Sequence, residues 1–234
     1  MILKNKNIVY LILFIGFLFN ALDAFSVFGV PLPWVSTAIF LFLFINLIVE
    51  KKFEINSLVS QYFYWTIYCV LITLIFLFFQ YETLITNSVA NPLLYVLLRL
   101  LNFLSFFSII YSLNKILNIN NRDKIIELIS YASIIISVLS LVSYFSYVMN
   151  FPDLSRNRMG TGIGFQSIIK ACTVLRNYGT FREPSFLAVW IVPTIPLYFY
   201  NAREKNYWYV LSVLPITCLV LTRSLTGVMS FIIA

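Results

Sequence analysis

The sequence predicts an all-α protein, a polytopic bundle of transmembrane helices with one long external loop. Three observations lead there. Of its 234 residues, 61% are hydrophobic and only 11% are charged. A soluble domain is about half apolar and about a quarter charged, so too little polar surface remains here to cover a globule. The apolar residues also fall into runs close to the ~20 residues that a helix needs to span hydrocarbon. Finally, the Lys and Arg residues behind the formal net charge of +7 sit between those runs. A nucleic-acid-binding domain would gather them on one face instead. A single integral membrane domain over 1–234 follows, with no nucleic-acid partner.

The spans are expected at Ile8–Leu22, Pro33–Val49, Phe63–Phe79, Leu93–Leu113, Ile125–Val148, Pro184–Tyr200 and Tyr207–Thr222. An eighth begins near Leu225 and is still apolar at Ala234, so the sequence is expected to be the front part of a longer protein. The first span, preceded by Lys4 and Lys6, has the outline of a signal peptide. Ala21 and Ala24 make a poor cleavage signal, however, and an uncleaved helix fits the spans that follow. Pro193, Pro196 and Pro215 interrupt the sixth and seventh spans and predict bent helices around a cavity.

Orientation follows from the short loops. Lys51 and Lys52 follow the second span, Lys115, Arg122 and Lys124 the fourth, and Arg203 and Lys205 the sixth, while the alternate loops hold Asp23 and Glu82. The positive-inside rule then puts the N-terminus in the cytoplasm. Cys69, Cys172 and Cys218 show no CxxC spacing, which gives neither a disulfide framework nor a zinc site, and the chain has no histidine.

The segment from 149 to 183 breaks the pattern. It is an extracytoplasmic loop that carries Arg156, Arg158, Lys170, Arg176 and Arg182 against Asp153 and Glu183. The run Gly160-Thr161-Gly162-Ile163-Gly164 reads as a flexible hinge or as a phosphate cradle of backbone amides. No strand precedes it, so a dinucleotide fingerprint is not supported. From Phe165 to Arg176 the period is helical, with Phe165, Ile168, Ile169, Cys172 and Leu175 on one face. That predicts an amphipathic helix lying on the outer surface, either as an anchor or as a movable floor for a lipid-linked substrate.

The loop closes with Arg176-Asn177-Tyr178-Gly179-Thr180-Phe181-Arg182-Glu183-Pro184-Ser185. Pro184 suits the first turn of a helix, Glu183 places an anion at its positive end, and Gly179 permits a sharp turn. Two arginines flanking that turn at the membrane surface suit a pyrophosphate, since a guanidinium fork binds phosphate bidentately and the helix N-terminus adds partial positive charge. Two more cations belong with them. Arg99 lies inside the fourth span, roughly 10 Å below the outer surface at 1.5 Å per residue, where it either snorkels or faces a cavity. Arg223 ends the seventh span on the outer side, as an interface marker or as a further ligand.

These residues carry a resemblance. The run from Arg176 to Ala188, closing a long external loop and entering a span, resembles the O-antigen polymerase and ligase superfamily, and Leu221-Thr222-Arg223-Ser224-Leu225-Thr226-Gly227 is similar to a second recurring segment there. The likeness covers the second half of the chain, whereas the first half matches only as a series of spans. It implies a GT-C-like helical fold and metal-independent, cofactor-free glycosyl transfer at the outer face of a bacterial cytoplasmic membrane. The implied product is O-antigen, capsular polysaccharide or exopolysaccharide. The implied partners are a polyprenyl-pyrophosphate-linked oligosaccharide, membrane lipids, a flippase and a chain-length regulator. By resemblance, Arg176 and Arg182 hold the pyrophosphate leaving group, with Arg99 and Arg223 as further candidates, while Arg156, Arg158 and Lys170 are candidate substrate-binding cations by their place in the loop. Glu183 is the carboxylate beside the motif, a candidate base for the acceptor hydroxyl as well as a helix cap.

The ligase branch is expected to use a histidine in a later external loop, so a chain without histidine leans toward the polymerase. A transporter of lipid-linked sugars is a different class that also uses broken helices. The two halves show no inverted repeat, and the cations gather at the outer face rather than at the midplane. A structural membrane subunit with the loop as a docking surface is the remaining alternative.

Overall fold

In the computed structural model, residues 6–49, 57–85, 100, 122–152, 156–157 and 176–233 are described. The expected fourth span (93–113), Arg99, Arg158, Lys170, the glycine run and the amphipathic helix as far as Leu175 lie outside them. The described chain is mostly helical and divides into two compact units, Met1–Leu3 with Thr37–Ile119, and Lys4–Ser36 with Asn120–Ala234.

The first unit contains most of α2 (Leu32–Val49) and all of α3 (Ser57–Ile85). At 1.5 Å per residue α3 is roughly 43 Å long, and it outruns the expected 63–79 segment at both ends. It displays Tyr64, Trp65, Tyr68, Phe78 and Phe79 on its surface, a composition that apolar surroundings favour over water.

The second unit opens with α1 (Lys6–Ala21) and a two-stranded ribbon, β1 (Ser26–Val27) and β2 (Val30–Pro31). The strands pair Ser26 with Pro31 and Val27 with Val30 through a turn in which Phe28 and Gly29 both have positive φ. This is the turn geometry whose twist matches a hairpin. The central helix is α4 (Arg122–Val148). After it come α5 (Pro184–Ile191), one 3-10 turn (Val192–Thr194), α6 (Ile195–Ala202), α7 (Tyr207–Leu211), α8 (Val213–Thr222) and α9 (Leu225–Ile233). Among the described residues, two helical stretches, Arg122–Val148 and Pro184–Ala202, are long and apolar enough to cross a membrane, and Asn7–Ala21, Leu32–Asn46 and Tyr207–Thr222 are shorter apolar helices.

The bends fall where the prolines predict them. Pro193 sits in the 3-10 turn, Pro196 in the first turn of α6, and Pro215 just after the break between α7 and α8. Each proline removes one backbone donor. Beside the breaks, the Thr194 and Ser212 hydroxyls donate to the carbonyls of Ile191 and Tyr209.

α4 packs against α1, α6 and α8, and its contact face is a row of serines. Ser130, Ser133, Ser137, Ser140 and Ser143 recur at steps of three or four and are all buried. Small side chains let helix backbones approach closely, and their hydroxyls bridge the helices. Asn201 Nδ2 donates to Ser130 Oγ at 2.9 Å, Tyr198 donates to the Ser130 carbonyl, Ser133 and Thr194 share a bond of 2.8 Å, and Cys218 donates to the Ser137 carbonyl. Beside this seam Leu187, Ala188, Ile191 and Ile195 are buried with Ile136 and Leu219. Gly227 brings α9 against α5, where a Cβ would run into Ala188.

The seam yields two expectations. Gly227→Leu should lower stability by about 1–3 kcal/mol through overpacking, and Ser133→Ala by only about 0.6 kcal/mol, the usual worth of a hydrogen bond between membrane helices. Unfolding in a titration with sodium dodecyl sulfate reads both. A larger loss for the serine than for the glycine would mean that hydrogen bonding, rather than close approach, holds the seam together.

Candidate functional site

Helices end with carbonyls that lack partners inside the helix, and in apolar surroundings each such group is costly. At one end of the second unit, the residues from Arg176 to Thr180 supply the missing donors for two helices. The Asn177 amide bonds the Leu221 carbonyl at 2.8 Å, and Arg176 Nε bonds the Thr222 carbonyl at 2.9 Å, which together close α8. Thr180 Oγ donates to the Ala21 carbonyl, the last of α1, and the Thr180 carbonyl accepts from the Ala24 amide. A cation at a helix C-terminus is also favoured by the dipole.

The turn is fixed from within as well. Asn177, 1% exposed, accepts the Gly179 amide on Oδ1. Gly179 has φ +48° and lies directly on Ser140 of α4, so any side chain there would collide with that serine. Arg156 clamps the turn from above. Its Nη2 donates to the Gly179 carbonyl at 2.9 Å and to Ser143 Oγ at 2.7 Å, its Nη1 reaches the Tyr178 hydroxyl, and its guanidinium stacks on the Tyr178 ring 4.1 Å from the centroid. Next to it Asn157 exchanges hydrogen bonds with the Ser26 backbone and so ties the ribbon to the same region.

Of the expected site residues, Arg156, Arg176, Arg182, Glu183 and Arg223 fall within the described chain, and Arg99, Arg158 and Lys170 lie outside it. Arg156, expected among the substrate-binding cations, has its donors directed into the protein. Arg176 uses Nε on α8, and among the described residues its terminal nitrogens have no partner. It lines a narrow cleft with Ser143, Tyr144, Tyr147 and Tyr178. That cleft encloses only about 10 Å³, room for a single water at most, so a larger group would meet its mouth. Arg182 pairs through Nε with Asp23 at 2.8 Å, the two side chains being 36% and 14% exposed. A pair so open to its surroundings contributes on the order of 1 kcal/mol or less, and its main effect is to orient the guanidinium. Glu183 occupies the N-cap position of α5 with extended backbone, and its carboxylate accepts from Ser185 Oγ at 3.3 Å. Arg223 is the left-handed cap of α8, with its side chain exposed. Next to it Ser224 caps α9 through the Gly227 amide.

The arrangement thus gathers Arg156 and Arg176 about the Tyr178–Gly179 turn and gives Arg182 a separate acidic partner. Asp23, Tyr144, Tyr147 and Tyr178 belong to this end of the unit; Asp23 and Tyr178 entered the sequence reading only as a loop acid and as part of the motif, and Tyr144 and Tyr147 did not enter it. The spacing of three between Tyr144 and Tyr147 is the one local sign of a shared face. No protein-family model, curated protein or solved structure matches the chain.

The clamp and the open cations should separate by stability. Arg156→Ala should cost about 1.5–3 kcal/mol, as loss of hydrogen bonds to a charged group does. Arg223→Ala should stay within ~0.5 kcal/mol, as exposed surface changes do. Melting of the purified chain in detergent measures both, and equal midpoints for the two variants would remove the clamp assignment.

Proposed function

We propose that the chain is a polytopic protein of a bacterial cytoplasmic membrane, N-terminus in the cytoplasm and seven or eight spans within this sequence. In this reading it polymerises lipid-linked oligosaccharide repeat units into O-antigen, capsular polysaccharide or exopolysaccharide at the outer face. The observation that carries the reading is the end of the second unit at 176–183. Two arginines stand on either side of a turn that is locked to three helices, and among the described residues their terminal nitrogens make no hydrogen bond. One of them stands at the mouth of the narrow cleft, where tyrosine rings and hydroxyls suit the apolar face and hydroxyl edge of a sugar resting on that mouth.

The charge distribution supports the orientation. Lys124, Arg203 and Lys205 line one cleft at the start of α4, and the Arg182–Asp23 pair lies at the C-terminal end of α1. The positive-inside rule counts short loops only, so the arginines of the long 149–183 segment do not enter it.

In this reading an acceptor hydroxyl oxygen attacks the anomeric carbon of the donor glycan. The bond from that carbon to the polyprenyl pyrophosphate oxygen breaks, and the hydroxyl proton passes to a base, for which Glu183 is the nearby carboxylate. Arg176 and Arg182 offset the charge that grows on the departing pyrophosphate. Fixed donors of this kind are worth about 10²–10³ in rate, and their rigidity matters because a mobile arginine would have to be ordered at the moment of reaction.

The test is the cell-surface glycan of a strain lacking the gene, complemented with wild type, Arg176→Ala or Arg182→Ala and resolved on a gel. The ladder should collapse to single repeat units in both variants, with the variant proteins present at normal level. Full-length polymer stranded on its lipid carrier would assign ligation instead, and an unchanged glycan would return the protein to transport or a structural role.

A further inference from the structure

We infer that the second unit carries a binding site for an anionic phospholipid, at the start of α4 and away from the Arg176 turn. The inference rests on the chain being embedded in a membrane and is independent of any glycan chemistry.

Two cavities meet there. One is an apolar groove between α1 and α4, lined by Tyr10, Leu11, Phe14, Leu128, Tyr131 and Ile135 and enclosing about 510 Å³. The other is a charged cleft of about 380 Å³ between the first turns of α4 and the loop from α6 to α7. Both volumes lie within the ~300–1,000 Å³ of ordinary ligand sites. Lys124 lines both, and Tyr131 on the groove side touches Trp208 on the cleft side with ring centroids 5.1 Å apart. A ligand that fills the pair must be apolar along its body and polar at its head.

The charges define that head. Lys124, Arg203 and Lys205 line the cleft with Asp123, Glu127 and Glu204, and Arg122 stands beside it over the Tyr200 ring. The acids are largely committed. Asp123 accepts from the Tyr200 hydroxyl at 2.7 Å, and Glu127 accepts from Lys205 and from Tyr131. Glu127 thereby holds the Lys205 ammonium above the usual lysine range. Arg122, Lys124 and Arg203 form no ion pair among the described residues. They lie instead over aromatic rings, Lys124 over Tyr10 and both arginines over Tyr200, at 5.3–5.8 Å from the centroids. A ring face holds a cation in place without neutralising it. Three such cations beside an apolar groove complement a phosphodiester whose acyl chain continues into that groove. Glu204, exposed at the rim, opposes a headgroup with a second negative charge and favours one with a single phosphodiester.

Positive-inside topology alone accounts for cations on this side. It does not account for their gathering on two tyrosine rings at the mouth of a groove.

The full chain, purified in detergent, is exposed to equal amounts of phosphatidylglycerol and phosphatidylcholine with matched acyl chains, and the retained lipid is counted by native mass spectrometry. Phosphatidylglycerol should be retained at least tenfold better, since each surface cation contributes about 1 kcal/mol toward an anionic lipid. Lys124→Gln with Arg203→Gln should remove that preference, and Lys124→Arg should keep it. Leu128→Trp, which fills the groove, should lower retention of both lipids. Equal retention of the two lipids by wild type, or full preference in the double glutamine variant with a monodisperse elution profile, overturns the site. If Leu128→Trp changes nothing while glycerol phosphate displaces the lipid, the cleft reads a free phosphate and the lipid assignment is wrong.

Discussion

The second unit depends on one constraint: a helix that ends in apolar surroundings must find donors for its last carbonyls. α1 and α8 finish at the same end of the unit, and the same few residues, Arg176 to Thr180, satisfy both. Because those residues feed directly into α5, the cap also fixes where the next helix begins. Gly179 makes this geometry attainable, since a left-handed residue pressed on Ser140 leaves no room for a side chain. Arg156 then secures the exposed side of the turn through four hydrogen bonds. The arginines on either side of the turn inherit their positions from this cap.

The middle of the unit answers to a second, weaker constraint. Hydrophobic burial between helices counts for little when the surroundings are themselves apolar, so packing and hydrogen bonds across the seam must hold the helices together. α4 meets that demand with its serine face, which supplies hydroxyls and carbonyls to α6 and α8 without holding the backbones apart. The proline breaks fit the same scheme, because they lie on helices whose partner already offers polar groups at that depth.

The helices were legible because they are written in mean hydropathy, and each expected apolar run within the described residues is helical, two of the stretches being long and apolar enough to cross a membrane. Their limits were less legible: α3 runs from Ser57 to Ile85, and α4 begins at Arg122, because polar and charged end turns continue a helix that hydropathy alone would stop. The ribbon at Ser26–Pro31 carries no Asn-Gly or Asp-Gly signal, and its turn uses Phe28 in a conformation that phenylalanine rarely adopts. Pro184 and Glu183 at the start of α5 were read correctly from local chemistry. The partners of Arg182 and Arg176 were not, since Asp23 lies 159 residues from Arg182 and Thr222 lies 46 from Arg176. The serine face escaped for a different reason. A reading that seeks apolar runs discards the polar residues inside them, although the spacing of three and four was on the page.

Asn157 on β1 and Arg176 on α8 give the chain between them two fixed ends. Both anchors bear on the same turn, so the caps of α1 and α8 depend on a small set of contacts at Ser26, Gly179 and Thr222. The two anchors therefore act as a single rivet, and a change that loosens either one is felt at the ends of both helices.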